Sequence, residues 1–489
     1  MQKWPDPGSG AGYDPAPGRV THPALGAAST QGARRVPFSV EALASFFKFH
    51  ERGTSAGTEI RAGVTTFLVM VYIVALNPAI IAGPMGLDPV AVAAGTALVA
   101  GIMTLAMGLI TNYPFALAAG LGLNAAVAFG LVLGLGMTPA QAMGVIVIEG
   151  VIITLLVVVG LREAIMNAVP LGLKRAIGVG IGLFILFIGF WDGGLIVGVT
   201  PEFAPPPPPL NFVFPTTTAH FVFLAGLLIT AALWALKVKG ALILSIAATT
   251  VLAIVTGVQT IPSEFVWTPS FSTLGLGLQD LGGIFTIEAG VLAAVLAIFT
   301  IMLSDFFDTM GTVTGIAAEA GLAEEDGSVP GVGRVLLVDG LAAAVGGAAG
   351  ISSNTTYIES AAGVGDGGRT GLTAVVVGLL FLAAIFLAPI VQIIPLAATA
   401  PALVLVGYLM FTQIGEIDAR DMVIGFPALL IMILMPLTFT ITIGIGAGLV
   451  VWVLLKVVTR TWAEVHWLMW VVFLAFLVYF AQALIQTYI

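Results

Sequence analysis

The sequence predicts an all-α polytopic membrane protein of fourteen spans, built as two inverted repeats of seven, with spans three and ten short and interrupted. The first observation is compositional: 59% of the 489 residues are hydrophobic and 9% charged, with a mean hydropathy of +1.10. Such a chain cannot present a wetted surface all round, so its solvent is a bilayer. Many segments approach the roughly 20 apolar residues that cross about 30 Å of hydrocarbon as helix, and the alternating pattern of a membrane barrel is absent. The second observation is where the cations fall, and the third is that two spans are broken in the same way half a chain apart.

In chain order, residues 1 to about 40 are rich in Pro, Gly, Ala and Ser without an apolar h-region, which predicts a disordered tail and not a signal peptide. Residues 41–60 mix Leu43, Phe46, Phe47 and Phe49 with Lys48, Glu51 and Arg52, the pattern of a short helix on the membrane surface or of a solvated lead-in. Apolar periodicity then places spans at 61–82, 90–110, 117–134, 139–160, 172–191, 218–236, 240–257, 287–315, 331–350, 352–365, 371–389, 396–412, 422–437 and 439–457. A last apolar stretch, 463–487, either crosses or lies along the interface.

Cations test this assignment, because Lys and Arg collect on the cytoplasmic side. All 17 obey it: seven precede span one or open it, Arg162, Lys174, Arg175, Lys237, Lys239, Arg334, Arg369 and Arg420 lie in or at the edges of the even-numbered connections, and Lys456 and Arg460 lie at the exit of span fourteen. The expectation is a multi-pass protein of the cell (inner) membrane with a cytoplasmic N-terminus. The long connections at 192–217, with its Pro205–Pro209 run, and at 258–286 contain no cation and are expected outside. With no cysteine, no disulfide framework exists.

Span three reads PFALAAGLGLNAAVAFG and span ten GGAAGISSNTTYIESAAGVG; each has an Asn four residues after a Gly (Gly120 and Asn124, Gly350 and Asn354). FLVMVYIVALNPAIIAG of span one aligns with FTIMLSDFFDTMGTVTG of span eight at nearly the same offset. Seven spans per repeat is an odd number, so the second copy is inverted. Short interrupted segments at matching places in two halves point to a transporter's binding site.

Asp305 and Asp308 lie deep in span eight and Glu359 in span ten, where ionisable groups are costly and are kept for substrate, ion or proton pathways. Asn124 and the Ser353-Asn354 pair are good N-cap types, which puts Glu359 about one turn inside the second half-helix. Asp305, Asp308, Thr309 and Thr312 share helical spacing, and Gly311 and Gly315 are expected to allow close packing. A cavity here would hold carboxylates and amides but no fixed cation, which suits a neutral heterocycle with N–H donors and ring acceptors. Glu149 either lines this site or bonds a neighbouring helix while protonated, the second being preferred; Asp339 is expected to pair with backbone or a cytoplasmic cation. Asn77-Pro78 is expected to kink span one, Arg369 to anchor span eleven, and Phe306 and Phe307 to stack on a ligand or pack in the core. The four histidines are too scattered for a metal site.

DFFDTMGT with the following AGL, YIESAAGV followed by GGRTGLTAVV, and GLGLNA make the chain, from about Leu43 to about residue 485, resemble the AzgA-like purine permeases of the nucleobase:cation symporter-2 family. The resemblance implies a core domain of spans one to four and eight to eleven (61–160 and 287–389) and a gate domain of spans five to seven and twelve to fourteen (172–257 and 396–457). It implies import of adenine, guanine or hypoxanthine with protons, a homodimer, and no cofactor beyond the coupling proton. On that basis Asn124, Asp305, Phe306, Asn354, Thr355 and Glu359 are the substrate-binding candidates, and Asp305, Asp308 and Glu359 the proton-coupling candidates. Departures from the family pattern fall at Ala119, Ala126, Ile351 and Asn354.

Two other classes compete. An anion transporter on the same inverted-repeat plan would want a cation at the site. An intramembrane aspartyl protease would use two facing aspartates, for which Gly363-Val-Gly365-Asp366 and Pro401-Ala402-Leu403 are weak fragments. No nucleotide-binding motif or nucleic-acid signal is present.

Overall fold

The computed structural model describes residues 38–160, 168–198, 210–324 and 328–488, with side chains described for residues 41–481 of these. The described residues from Ala44 onward form one compact unit. The Pro-rich tail, Arg162 and the Pro205–Pro209 run lie outside the described residues.

Every expected span has a counterpart. The first half runs as Ala56–Met70 with Ile73–Met85 (span one), Pro89–Thr111 (two), Leu121–Gly134 (three), Pro139–Val158 (four), Leu171–Asp192 (five), Thr218–Ala235 (six) and Ala241–Val255 (seven). The second runs as Gly290–Glu319 (eight), Val332–Ala348 (nine), Ser360–Gly365 (ten), Gly371–Ala384 continued as a 3-10 helix to Ile393 (eleven), Leu396–Phe411 (twelve), Met422–Thr438 (thirteen) and Ile441–Val458 (fourteen). The last apolar stretch is a helix, Trp467–Tyr488, packed on spans fourteen and eight. Helix starts follow the local chemistry: Thr138 and Gln141 make a reciprocal capping box before Pro139, and Asp88, Thr370 and Asp421 each accept a backbone N–H two residues on.

The interruptions are strands, which the all-α expectation did not include. β1 (Leu117–Ala119) precedes the helix of span three and β4 (Asn354–Thr356) that of span ten; β2 (Ile196–Gly198) and β3 (Leu210–Phe212) form a separate pair beyond span five. β1 and β4 run antiparallel in the register Leu117↔Thr356, Ala118↔Thr355, Ala119↔Asn354. All six residues are buried. Extended backbone buried among helices must find partners, and here each interruption supplies the other's.

Span two packs on eleven, four on nine, one on ten and eleven, and eight on four; separately, five packs on twelve and thirteen, thirteen on fourteen, and six on seven and twelve. Small residues make the closest approaches. A Cβ on Gly371 would overlap the Gly108 carbonyl, whereas one on Gly311 would meet nothing within 4 Å.

Three local expectations change. Phe47 and Phe49 are buried against Leu372, and Arg52 donates to the carbonyls of Asn112 (2.5 Å) and Arg369 (2.7 Å), so the lead-in docks on protein. Pro78 lies within the helix Ile73–Met85, and the break in span one falls at Val71–Tyr72. Asn77 donates to Thr96 Oγ1 and the Ile351 carbonyl, tying span one to span two and to the interruption of span ten.

Lys239, between spans six and seven, meets Asp366 at the end of span ten (2.5 Å), which also accepts from Thr65. These two donors hold the Asp366 carboxyl below its usual range. A depressed native value stabilises above the unfolded pKa, about 4, and the contribution is lost as pH falls through the depressed value. Asp366→Asn should therefore show a smaller drop in melting temperature than the parent between pH 6 and roughly pH 3.

Gly371→Ala should destabilise the detergent-purified protein by about 1–3 kcal/mol through overpacking, read as a lower melting temperature. Gly311→Ala, made alongside it, should be neutral or slightly stabilising.

Candidate functional site

The site grows out of the strand crossing. Gly120 N–H donates to the Ser353 carbonyl and Tyr357 N–H to the Ala116 carbonyl, extending the β1–β4 ladder at both ends. The Tyr357 hydroxyl reaches the Ala119 carbonyl (2.5 Å), Thr104 of span two exchanges bonds with Leu117, and Ser360 accepts from Ala116 N–H. Leading into β4, Gly350 and Ser352 both have left-handed backbone, φ 72° and 75°. For Ser352 this is a sparsely populated conformation of the kind that collects at functional sites.

Strand alternation then divides the hydroxyls. Ser353 Oγ donates to Asp305 Oδ2 (2.8 Å) and Thr355 Oγ1 bonds Thr309 Oγ1 (2.7 Å), both on span eight. Thr356 turns to span nine, where Asp339 Oδ1 accepts from its N–H and its hydroxyl (2.8 Å each) and Asp339 Oδ2 accepts from Thr309 (2.7 Å). Asp339 is thus the best satisfied carboxylate here, held by three donors and no cation; of the two partners expected for it, backbone is the one present.

Asp305 is 1% exposed and has one oxygen, Oδ1, without a donor. Glu149 of span four, fully buried, lies within hydrogen-bonding reach of Asp305 and Ser353. Neither Glu149 oxygen receives a hydrogen. Ser353 has one hydroxyl hydrogen and gives it to Asp305, and a facing carboxylate has none to give. Both atoms of the Asn124 and Asn354 amides are also buried without a partner. Asn124 lies at the junction where the helix of span three widens into a π-helix, Ala126–Gly134, a distortion common at functional sites.

Two expectations about caps are corrected. Gly120 caps the helix of span three and Asn124 sits inside it, its N–H bonded to the Gly120 carbonyl; Ser353 and Asn354 belong to the strand segment. Glu359 lies at the start of the second half-helix and not a turn inside it. The physical reason is that the interruption is extended for three residues in each span, which shifts each helix start.

Span eight carries two faces where one was expected. Asp305, Thr309 and Thr312 are buried, but Asp308, Gly311, Gly315 and Glu319 form an exposed stripe. Gly311 and Gly315 look onto open space and do not serve close packing, a correction to their expected role. The stripe runs along one side of span eight from Glu319 to Asp308 at mid-span. On span ten, Glu359 is half-buried and accepts from the Tyr72 hydroxyl (2.5 Å). Asp308 and Glu359 are therefore the accessible members of the candidate set; Asn124, Asp305, Asn354 and Thr355 sit behind them. Phe306 is buried with Ile153 and Met302 and meets Phe307 edge-on. Lys174 of span five lies 4.9 Å from the centre of the Phe307 ring.

The ion pairs among the described residues, Lys48–Glu51, Arg175–Glu416, Lys239–Asp366 and Lys456–Glu464, leave all five mid-span carboxyl groups out. A separate cavity of about 240 Å³ lies among Arg52, Thr111, Tyr113, Pro330 and Arg334. It has guanidinium groups and no carboxylate, so it is not the site the mid-span residues build. Tyr72 and Tyr357 were not singled out by the sequence; the one signal for Tyr72 is its place beside Asn77-Pro78 in the repeat that aligns with span eight.

The donor count around Asp339 makes a test. Asp339→Asn presents a donor to three donors and should cost several kcal/mol at about 1.5–3 kcal/mol per lost bond to a charged group. Asp308→Asn, on the exposed stripe, should leave the melting temperature near that of the parent. Thermal unfolding in detergent with both variants checks this.

Residues 57–447 match the family model described as a permease family, that of the xanthine/uracil permeases. The guanine/hypoxanthine permease PbuG of Bacillus subtilis is 36% identical over 448 residues, covering 90% of this chain and 99% of its own. The adenine permease AdeQ of Escherichia coli is 37% identical, covering 87% and 93%. Among solved structures, the transmembrane domain of the cyanobacterial bicarbonate transporter BicA superposes with a TM-score of 0.58 at 14% identity, covering 80% of this chain and 96% of that one. The murine anion transporter Slc26a9 in its inward-facing state gives 0.57 at 12%, covering 89% and 74%. At such identities these two share the fold alone, which is the architecture of seven plus seven inverted repeats. The protease alternative falls with the family, and its Asp366 is tied to Lys239 and Thr65 at the cationic end. The chain is a multi-pass membrane transporter of the nucleobase:cation symporter-2 family.

Proposed function

We propose that this protein imports purine nucleobases, adenine, guanine or hypoxanthine, together with protons by alternating access. The observation that carries the reading is the pair of accessible mid-span carboxyl groups, Asp308 and Glu359, with no cation paired to either among the described residues. Purine N–H groups are donors that a carboxylate can accept, and an oxyanion would meet repulsion there. The printed names of the relatives, guanine/hypoxanthine and adenine permeases, point the same way.

In this mechanism Glu359 accepts from a purine N–H, pre-oriented by the Tyr72 hydroxyl. The unpartnered amides of Asn124 and Asn354 answer ring acceptors once the base displaces the closed packing around them. Asp305 carries the coupled proton and Asp308 attracts the base toward Glu359. Spans one to four and eight to eleven act as a core that moves against a gate of spans five to seven and twelve to fourteen; support comes from the packing partners, which fall mostly within these two sets. Lys239–Asp366 links the sets. The cationic end is assigned to the cytoplasm of a cell (inner) membrane, and two copies associate as a homodimer.

A thermal-shift screen against purines, uracil, xanthine, sulfate and bicarbonate tests the substrate, since a ligand that binds only the folded protein raises its apparent stability. Adenine, guanine or hypoxanthine should stabilise; stabilisation by sulfate or bicarbonate alone would remove the purine assignment.

Glu359→Gln replaces an acceptor with a group that can turn a donor toward the base, and also loses the charged partner of Tyr72. Purine binding should weaken by about 1.5–3 kcal/mol, the worth of a hydrogen bond to a charged group, with yield kept and only a modest drop in the melting temperature of the free protein, because the Gln amide oxygen still accepts from the Tyr72 hydroxyl. Titration calorimetry with the variant that finds parental affinity would take Glu359 out of the binding site.

A further inference from the structure

Glu149 is the one fully buried carboxyl group of the cluster that the proposed mechanism leaves idle, and its surroundings are chemically incomplete. It sits on span four within hydrogen-bonding reach of Asp305 on span eight and of Ser353 before β4. Neither of its oxygens, nor Asp305 Oδ1, has a donor. The Ser353 hydroxyl is already committed to Asp305 Oδ2. The other charged groups facing the pair are all acidic: Asp339 from span nine and Asp308 from span eight, with Glu359 beyond Asp308. No ion pair reaches any of them among the described residues.

Two carboxylates in contact, desolvated and without a cation, repel with an energy that a single shared hydrogen removes, because the protonated member then donates to the ionised one. The same hydrogen supplies the missing donor for both orphaned groups. We infer that Glu149 and Asp305 form one proton-binding site, a pair that holds a single proton between spans four and eight, and that this pair and not Asp305 alone binds the coupling proton. This deepens the proposed proton-coupled import and rests on it for the word coupling.

The charge balance is simple. With the proton the pair carries one negative charge and closes span four on span eight through a short O–H···O bond. Release leaves two negative charges in a dry site, so release requires water to enter between the spans, which happens only when the site opens. Ser353 connects this event to the strand crossing, since the pair's partner hydroxyl is one residue from β4. Asp339 does not take over: its three donors already satisfy it as an ionised group.

Infrared difference spectra of purified protein at neutral pH, with Glu149→Gln and Asp305→Asn against the parent, read the pair directly. In either variant the amide donates to the remaining carboxylate, so the protonated-carboxyl band of the pair should be lost, and the double variant should lose no more than either single one. Loss in one variant only, or additive loss, would show that the two groups do not share a proton. Proteoliposome uptake then reads coupling: an inward proton gradient should stimulate the parent and Glu149→Asp but not Glu149→Gln, while purine counterflow stays measurable in all three. Full gradient stimulation of Glu149→Gln would overturn the inference, as would a Glu149→Gln variant that is merely less stable with its band intact. If the parent itself transports no purine, the transport reading fails and the infrared result still decides whether the pair exists. Should Glu149→Gln not fold, Asp305→Asn carries the same spectral prediction.

Discussion

Everything at the centre of this protein depends on extended backbone being paired inside a membrane. Two spans stop being helical at mid-depth, where an unpartnered N–H or C=O costs several kcal/mol. Neither interruption could exist alone. Together, β1 and β4 satisfy one another, Thr104 and Tyr357 bond the remaining groups of Leu117 and Ala119, and Ser360 accepts from Ala116 just outside the ladder. The crossing also fixes directions: with the register set at Ala118↔Thr355, Ser353 and Thr355 address span eight while Thr356 addresses span nine. The positions of Asp305 and Asp339 relative to their donors follow from that register, and a slip of one residue would exchange the faces.

Donor supply, not residue type, then separates the carboxyl groups. Asp339 has three donors and is complete. Glu359 has one, from Tyr72, and is only partly buried. Asp308 lies on the exposed stripe of span eight. Asp305 has one donor for two oxygens and Glu149 has none. Five acidic side chains of nearly equal intrinsic acidity thus occupy five different electrostatic situations without one cation in the set. A site so arranged can assign one group to structure, others to a ligand and others to a proton, because each task needs a different balance of desolvation and hydrogen bonding.

Much of this was legible in the sequence for a physical reason. Apolar length and cation placement are one-dimensional signals, and they located all fourteen spans; Lys239 and Asp366, in connections that alternation puts on one side, meet in an ion pair. The shared Gly-to-Asn spacing located both interruptions. What the sequence concealed depends on pairing across distance. LAA and NTT are too short and too ordinary to announce strands, since their extended state is imposed by each other. The caps were misplaced for the same reason: Asn124 and Asn354 look like N-caps only if helix begins directly at the break. Gly311 and Gly315 illustrate a second limit, because small residues serve close packing or an open face equally well, and only the neighbouring spans decide. Tyr72 was missed because a tyrosine in an apolar span usually packs, and its partner Glu359 is 287 residues away.

The inverted repeats make the scaffold symmetric, yet the chemistry is not. Span one aligns with span eight, but it carries Asn77-Pro78 where span eight carries Thr309-Met310, and no carboxyl group where span eight carries Asp305 and Asp308. Asn77 is spent on structure, bonded to Thr96 and to the backbone just before Ser352. The first half therefore braces the crossing while the second half supplies acids, and only Asn124, Tyr72 and Glu149 reach across from the first repeat to the site. This division suits alternating access. A symmetric frame gives two related end states of similar energy, and a ligand can bias them only through groups whose contacts differ between the states. Those groups have to be the asymmetric ones, and they lie where the two halves meet.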